Sequence, residues 1–259
     1  MIDVFRFMPV AMALLVATPA MASDLAPTGT LRATYIDSNL AQARRDPATG
    51  DVRGPAADLT RELAKRNGVP FTISPAPGVA GVIASVKTGT ADIGFVAYDP
   101  VRAEEVDFSQ TYLLAHNTYI VRSDFPARSV SDLDRAGMRI GVGERDAGDL
   151  FLSRNLEAAE LRRMPSSDLP AGIKLLMAGD LDAYAANRTR LLDISAREPG
   201  LRLLPDNFYS VEQAIIVAKG NPKRRALVEQ FVVDAKSSGL VATAIEQAGL
   251  KGVDVAPMK

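Results

Sequence analysis

The chain has 259 residues, with 30 Lys and Arg against 31 Asp and Glu, one histidine and no cysteine, for a net charge of -1. Near-neutrality gives no electrostatic reason to bind nucleic acid or an anionic membrane. The missing cysteines exclude disulfides and thiolate chemistry, and a lone His116 excludes a zinc site of the usual nitrogen and sulfur ligands. A chain of this length buries an ample core in one large or two smaller domains without crosslinks.

The first 22 residues, MIDVFRFMPVAMALLVATPAMA, hold an apolar centre from Met8 to Val16 and small residues at Ala20 and Ala22. They read as a secretory signal cleaved after Ala22, since the apolar centre falls short of the roughly 20 residues that cross a bilayer. A soluble protein exported to the periplasm is expected.

From Gly29 onward short apolar runs alternate with helical stretches, the pattern of a largely parallel sheet covered by helices. TLRATYI is the first strand. AADLTRELAKRNG sets Leu59 and Leu63 on one helix face, with Gly68 as a stop. VPFTIS follows as a strand, GVAGVIASVKTG as a small-residue helix, and ADIGFVAY as an apolar strand suited to the sheet centre. The alternation restarts at Ser129. SVSDLDRAG is a short helix, MRIGV a strand, and DAGDLFLSRNL a helix with Leu150, Phe151 and Leu156 inward. LRRM is a strand, DLPAGIKLLMAG a helix begun by Ser166, Ser167 and Asp168, LDAYAA a strand, NRTRLLDISARE a helix and LRLLP a strand. EQAIIVAKG is the last strand, ahead of an amphipathic stretch over residues 221–248 broken at Gly239.

Two similar α/β units follow from this pattern. HNTYIVRSD between them and FYSVEQAIIVAKG after the second are apolar strands, so the chain is expected to cross between two lobes twice. Lobe 1 would take residues 23–116 and 212–259, lobe 2 residues 117–211, and the two crossings would form a hinge beside a ligand cleft.

GPAADLTRELAKRNG, VKTGTADIGF, the run from Arg102 to Tyr112, SVSDLDRAGMRIGV, MAGDLDAYAANRTRL and VAKGNPKRRALVEQFVVDAKSSG occur in an order and spacing that resembles the periplasmic solute-binding proteins of amino-acid uptake systems, family 3. The resemblance covers Gly29 to Leu250 and implies an α/β, two-lobed type II periplasmic-binding-protein fold with two hinge strands and an interlobe ligand cleft. It also implies that Arg102 clamps the ligand's carboxylate. The residue's own chemistry agrees, because guanidinium offers a rigid fork matched to a carboxylate. Asp99 is a good helix N-cap and Pro100 a good first helical residue, which would set Arg102 in the first turn of a short helix at a strand's C-terminal end. The competing reading pairs Arg102 with Glu105 or Asp107 on the surface.

The departures from the family bear on the ligand. Asn39 and Val79 stand where the family often has aromatic rings, and Ala97 replaces the small polar residue that joins the arginine, leaving only its backbone to donate. Strand alternation puts Phe95 and Ala97 on one side and Tyr98 on the other, with Phe95 in the core. The family's G-S-T-like turn, whose N–H groups meet the carboxylate, is here Arg145-Asp146-Ala147. Asp146 reads first as an N-cap with Asp149 in an acidic first turn, occupying those N–H groups. Alternatively it faces the cleft and pairs with a ligand amine, Arg145 adding a cationic contact. Asn187 falls where the family carries the acid that neutralises an α-ammonium, and it also reads as the cap of the helix that follows. A buried ammonium without a carboxylate is costly, so an ordinary amino acid is not favoured over another small carboxylate. The clusters RRD at 44–46 and KRR at 223–225 read as solvated surface, and GVGERDAG lacks the spacing of a dinucleotide site.

The reading is therefore a monomeric periplasmic solute-binding protein that delivers a small carboxylate-bearing solute to an inner-membrane ABC permease, with no cofactor, no metal, no nucleic acid and no catalysis. An enzyme on the same fold, of the cyclohexadienyl dehydratase kind, would need an acid or base among Asp146, Glu144 and His116. A receptor presenting its ligand to a membrane sensor is not separable by sequence.

Overall fold

The computed structural model describes residues 24–165 and 168–258, so the expected signal segment with its Ala22 cleavage point, and Ser166 and Ser167, lie outside the described residues. The chain opens with β1 (Leu31–Ile36), a small hairpin of β2 (Arg44–Arg45) and β3 (Val52–Arg53), and α1 (Pro55–Arg66). Pro55 opens α1, its fixed φ suiting a first turn whose N–H groups lack partners anyway. Leu59 and Leu63 are buried as the spacing requires, and Gly68 after the helix takes φ 64°. There follow β4 (Phe71–Ala76), α2 (Gly78–Lys87), β5 (Ile93–Ala97), a 3-10 turn at Arg102–Glu104, β6 (Val106–Phe108) and the long β7 (Leu113–Arg122).

A second pass begins with a 3-10 turn at Val130–Leu133, shorter than the helix expected over SVSDLDRAG. It continues through β8 (Arg139–Gly143), α3 (Ala147–Asn155), β9 (Glu160–Met164), α4 (Leu169–Ala178), β10 (Ala183–Asn187), α5 (Arg188–Ser195) and β11 (Leu201–Leu203). The long β12 (Tyr209–Ala218) then returns, followed by α6 (Pro222–Ser237), α7 (Leu240–Gln247) and β13 (Val253–Val255). Gly239, at φ 79°, separates α6 from α7 as expected. The β2–β3 hairpin, β6 and β13 were not foreseen, being two or three residues long and too short for an alternation to register.

The strands join in one sheet ordered β4-β1-β5-β12-β7-β10-β8-β9. It is parallel only within each half, β4-β1-β5 and β10-β8-β9, while β12 and β7 are antiparallel to each other and to their outer neighbours. The expected largely parallel sheet is thus a mixed one, because its two central strands belong to a chain that crosses and comes back. Two core clusters draw on residues 25–115 and 215–253, and two on residues 119–204.

The register of those strands sets how far apart the two parallel halves end. Ala97, the last residue of β5, registers with Gln213, which registers with Leu113. Asn187, the last residue of β10, registers with Asn117, which registers with Tyr209. Since β5 runs with β7 and β10 against it, the C-terminal ends of the two parallel halves point at each other. Four residue steps of β7 separate them, about 13 Å at ~3.3 Å per residue.

One device is built twice. Asp92, just ahead of β5, accepts hydrogen bonds from Arg32 of β1 at the backbone N (2.9 Å), Nε (3.0 Å) and Nη2 (2.7 Å). Asp182, just ahead of β10, accepts the same three from Arg139 of β8 at 2.9, 3.0 and 3.0 Å. Each clamp ties the first and third strands of a unit beside a backbone bond between the same two residues, Asp92 N to the Arg32 carbonyl (2.7 Å) and Asp182 N to the Arg139 carbonyl (2.9 Å), so the two units repeat in structure what their sequences share in order.

Candidate functional site

On the first lobe's edge, the Asp99 carboxylate accepts from the backbone N of Val101 (2.9 Å) and Arg102 (3.2 Å), the capping expected of it. The helix it caps is only a 3-10 turn, because the chain enters β6 and its ladder with β12 at Val106. Arg102 donates from Nη1 to the Ala97 carbonyl (2.9 Å), which aims the fork along the strand end. Neither surface acid takes it: Glu105 pairs with Lys87 at 2.6 Å and Asp107 lies 4.0 Å from Arg225. Phe95 is core, edge-on to Tyr112 at 5.9 Å, whereas Tyr98 lies on the other side, edge-on to Phe108 at 5.2 Å and 47 % exposed. Asn39 spends its side-chain oxygen on the Ala41 N–H (3.1 Å) inside the turn after β1, and Val79 packs on the core beneath α2. Neither offers a stacking surface.

On the second lobe's edge, Arg145 holds φ 62°, the one positive value outside glycine among the described residues, at a cost of about 1–2 kcal/mol. Its N–H is taken by Asp149 (2.8 Å), which is itself held by Arg163 Nε (2.8 Å) and Ser153 Oγ (3.0 Å). Asp146 occupies the N-cap position of α3, yet its side chain makes no cap bond, so the expected capping role is corrected. Asp149 ties down the chain entering the helix, and the Asp146 carboxylate is left half-buried. Ala147 is exposed at the first helical position. Phe151 and Leu156 pack against the core as expected, but Leu150 is 48 % exposed and Leu152 is the buried leucine of α3, a correction at that one position. Asn187 caps α5, accepting from Thr189 N at 3.0 Å.

Desolvation pushes the Asp146 carboxyl above its ordinary 3.8, nearby Arg190 pulls it back, and Asp149 pushes it up again. A carboxyl raised in the folded state favours folding below 3.8 and costs stability as pH rises through the folded value. Asp146→Asn is therefore expected to raise Tm at about pH 7 and to lose that gain at about pH 3. A lower Tm at the higher pH would mean that Asp146 makes a favourable bond there.

The residues between the two edges escaped sequence reasoning. Registered strand partners share a face, so Ala97, Leu113, Ala115, Asn117, Tyr209, Val211 and Gln213 lie on one side. At one end of this face Gln213 bonds Gln42, and at the other Tyr209 stacks on Phe151 of α3 (centroids 4.6 Å, planes 18° apart). Desolvation, with Glu212 and Asp99, raises the Tyr209 phenol pKa against the weaker opposing pull of Arg102 and Arg154. Asn117 is buried with its Nδ2 unpaired. The legible signal was a glutamine directly before the apolar run AIIVA and another between Ala41 and Ala43.

His116 faces the other way, its ring nitrogens bonded to Ser210 Oγ (2.7 Å) and Asp254 Oδ2 (2.8 Å), which fastens β13 to the two crossing strands. Glu144 is exposed, and Arg44 and Arg45 are surface residues as expected. Lys223 and Arg225 are loosely paired with Asp24 (3.8 Å) and Asp107 (4.0 Å). Among the described residues no group of His, Asp and Glu could hold a metal, and no helix is long and apolar enough to cross a membrane.

This geometry has counterparts. A glutamine-binding protein of Geobacillus stearothermophilus is 26 % identical over 181 residues, 68 % of this chain and 67 % of its own length. A substrate-binding protein of an amino acid ABC transporter from Streptococcus pneumoniae, bound to L-arginine, shares the fold with a TM-score of 0.63 and 24 % identity, over 86 % of this chain and 96 % of its own. An ancestral amino-acid-binding protein described as a precursor of cyclohexadienyl dehydratase does so with a TM-score of 0.63 and 22 % identity, over 85 % and 94 %. These are two-lobed type II binding folds, and a family model matches residues 37–249 here. The chain therefore belongs to the bacterial extracellular solute-binding proteins, family 3.

Proposed function

We propose that this protein is the periplasmic, monomeric solute-binding component of an ABC uptake system, capturing a small carboxylate-bearing solute, an amino acid or related organic acid, in the gap between its lobes. Lobe 1 takes residues 23–116 and 212–259, lobe 2 residues 117–211. The observation that carries the reading is the Arg102 fork at the first lobe's edge, held by the Ala97 carbonyl and taken by neither Glu105 nor Asp107. Arg102 anchors the carboxylate, with the Ala97 backbone, Tyr98 and Asn39 around it. Closure brings Arg145, Asp146, Ala147 and Asn187 from the other side, and the solute shifts an open–closed equilibrium by binding the closed form better. No bond is made or broken, and the solute is passed to the permease.

The test is a thermal-shift screen of wild type and Arg102→Ala against amino, oxo, hydroxy, dicarboxylic and aromatic acids. Solute at ~100 times its Kd adds about 2.7 kcal/mol. Loss of a charge-assisted bidentate bond weakens binding by about 100-fold. Equal affinities for the two proteins would discard Arg102 as anchor. The raised carboxyl of Asp146 favours a second reading, an enzyme using it as general acid. Product formation that Asp146→Asn abolishes would select it.

A further inference from the structure

We propose that Gln213 is a specificity-determining donor of the binding gap, and that the solute carries an oxygen acceptor, an oxo or hydroxyl group, beside its carboxylate in place of an ammonium group. The inference rests on the reading of Arg102 as carboxylate anchor.

It starts from a backbone group. The N–H of Ile36, at the end of β1, needs an acceptor and finds Gln42 Oε1 at 2.9 Å. That contact settles which way the Gln42 amide points, since only its oxygen can accept. Gln42 Nε2 is thereby turned outward and donates to Gln213 Oε1, also at 2.9 Å. The second amide is oriented in turn, with its oxygen toward Gln42 and its Nε2 away. No hydrogen bond from Gln213 Nε2 to a protein acceptor is found among the described residues, and this nitrogen is not one of the fully enclosed unpaired atoms, which are Tyr112 Oη and Asn117 Nδ2, so the donor is open to solvent. A donor with no protein partner at an otherwise buried residue is free to take an acceptor that a solute supplies in place of water.

The position says what that is. Gln213 registers with Ala97 and shares its face, so the amide lies beside the methyl group that Ala97 presents and beside the strand end on which Arg102 is braced. Along the same face Tyr209 marks the second lobe's end of the gap, with Val211 and Ala115 between. A carboxylate on Arg102 brings the atom next to it within reach of an N–H donor.

The nearby side-chain acceptors are engaged elsewhere. Asp99 caps Val101 and Arg102, Asn187 Oδ1 accepts from Thr189, and Glu212 accepts from Thr111 Oγ1 (2.7 Å) on the opposite face of β12. Asp146 stands on the opposite edge of the gap, where desolvation raises its carboxyl pKa against the opposing pull of Arg190, so it favours the neutral form more than an ordinary carboxyl does. An ammonium group beside the carboxylate would meet a donor where it needs an acceptor, whereas an oxo or hydroxyl oxygen completes the Gln213 amide.

The test uses matched acids differing only at that atom: pyruvate, lactate and alanine; 2-oxoglutarate and glutamate; 4-methyl-2-oxopentanoate and leucine. Affinities are measured by calorimetry for wild type, Arg102→Ala, Gln213→Leu and Gln213→Glu. In wild type the tightest set is expected to favour the oxo or hydroxy acid over the amino acid by at least about tenfold. Gln213→Leu brings the ratio to near one. Gln213→Glu keeps the oxygen that Gln42 needs, replaces the donor by an acceptor and inverts the preference, which a purely structural role would not do. It also keeps the test decisive should Gln213→Leu fold poorly. Tightest wild-type binding of an amino acid, or a ratio unchanged in both Gln213 variants while Arg102→Ala weakens every acid, overturns this inference and leaves the carboxylate reading standing. No binding of any acid, or full affinity in Arg102→Ala, overturns both.

Discussion

Asp92→Ala is expected to cost about 3–5 kcal/mol of folding stability, read from urea unfolding monitored by circular dichroism. The carboxylate is 1 % exposed and its oxygens receive the backbone N, Nε and Nη2 of Arg32. Truncation leaves a guanidinium half inside the protein without its counter-charge and orphans a main-chain N–H at the start of β1. The twin clamp supplies an internal control. Asp182 is pushed up by burial but pulled further down by the Arg139 bonds, so its carboxyl lies below the ordinary range. Its contribution is present above 3.8 and is lost as pH falls through the lower folded value. Because both members of this second pair are more open, at 35 % and 12 % exposure, Asp182→Ala should cost less than Asp92→Ala. Equal or reversed costs would show that burial does not set the strength of these clamps.

Gly172→Ala is expected to destabilise by about 3 kcal/mol, near the upper end for overpacking, although alanine is the better helix former. Gly172 lies in α4 over β10, and an added Cβ would sit 2.7 Å from Tyr184 Cδ2 and 3.0 Å from its Cζ, closer still to Cε2. The ring cannot withdraw, because Gly141 of β8 presses the same edge: a Cβ there would also fall 2.7 Å from Cδ2. Tyr184 is buried, and desolvation pushes its phenol up to about 12, so it stays neutral and fixed. Tyr184→Leu in the Gly172→Ala background should recover much of the loss, a coupling visible in a double-mutant cycle of melting curves. Additive effects would mean that α4 moves away from the sheet instead.

Much of this protein was legible in its residue pattern. Leu59 and Leu63 at helical spacing, the apolar run ADIGFVAY, and the stops at Gly68 and Gly239 follow from local geometry and burial, and each takes the form the sequence implies. The Asp99 cap beneath Arg102 was legible for the same reason, since a capping carboxylate and the N–H groups it accepts lie two and three residues apart. The capping reading of Asp146 fails because two acids within four residues compete for one turn, and only the fold decides which is engaged. Arg163 and Ser153, which hold Asp149, lie 14 and 4 residues along the chain.

The sequence by itself determined two α/β units, most of their longer helices and strands, the crossing strands and the arginine at one strand end, because helix and strand periodicity, capping and turn chemistry act over a few residues. The tertiary structure alone decided that the two C-terminal edges face each other across four residues of β7, since register is a relation between strands far apart in sequence. It alone decided the direction of the Gln213 amide, which is passed from the Ile36 N–H through a glutamine 171 residues away. A hydrogen-bond relay between distant side chains exists only once the chain has folded to bring them together.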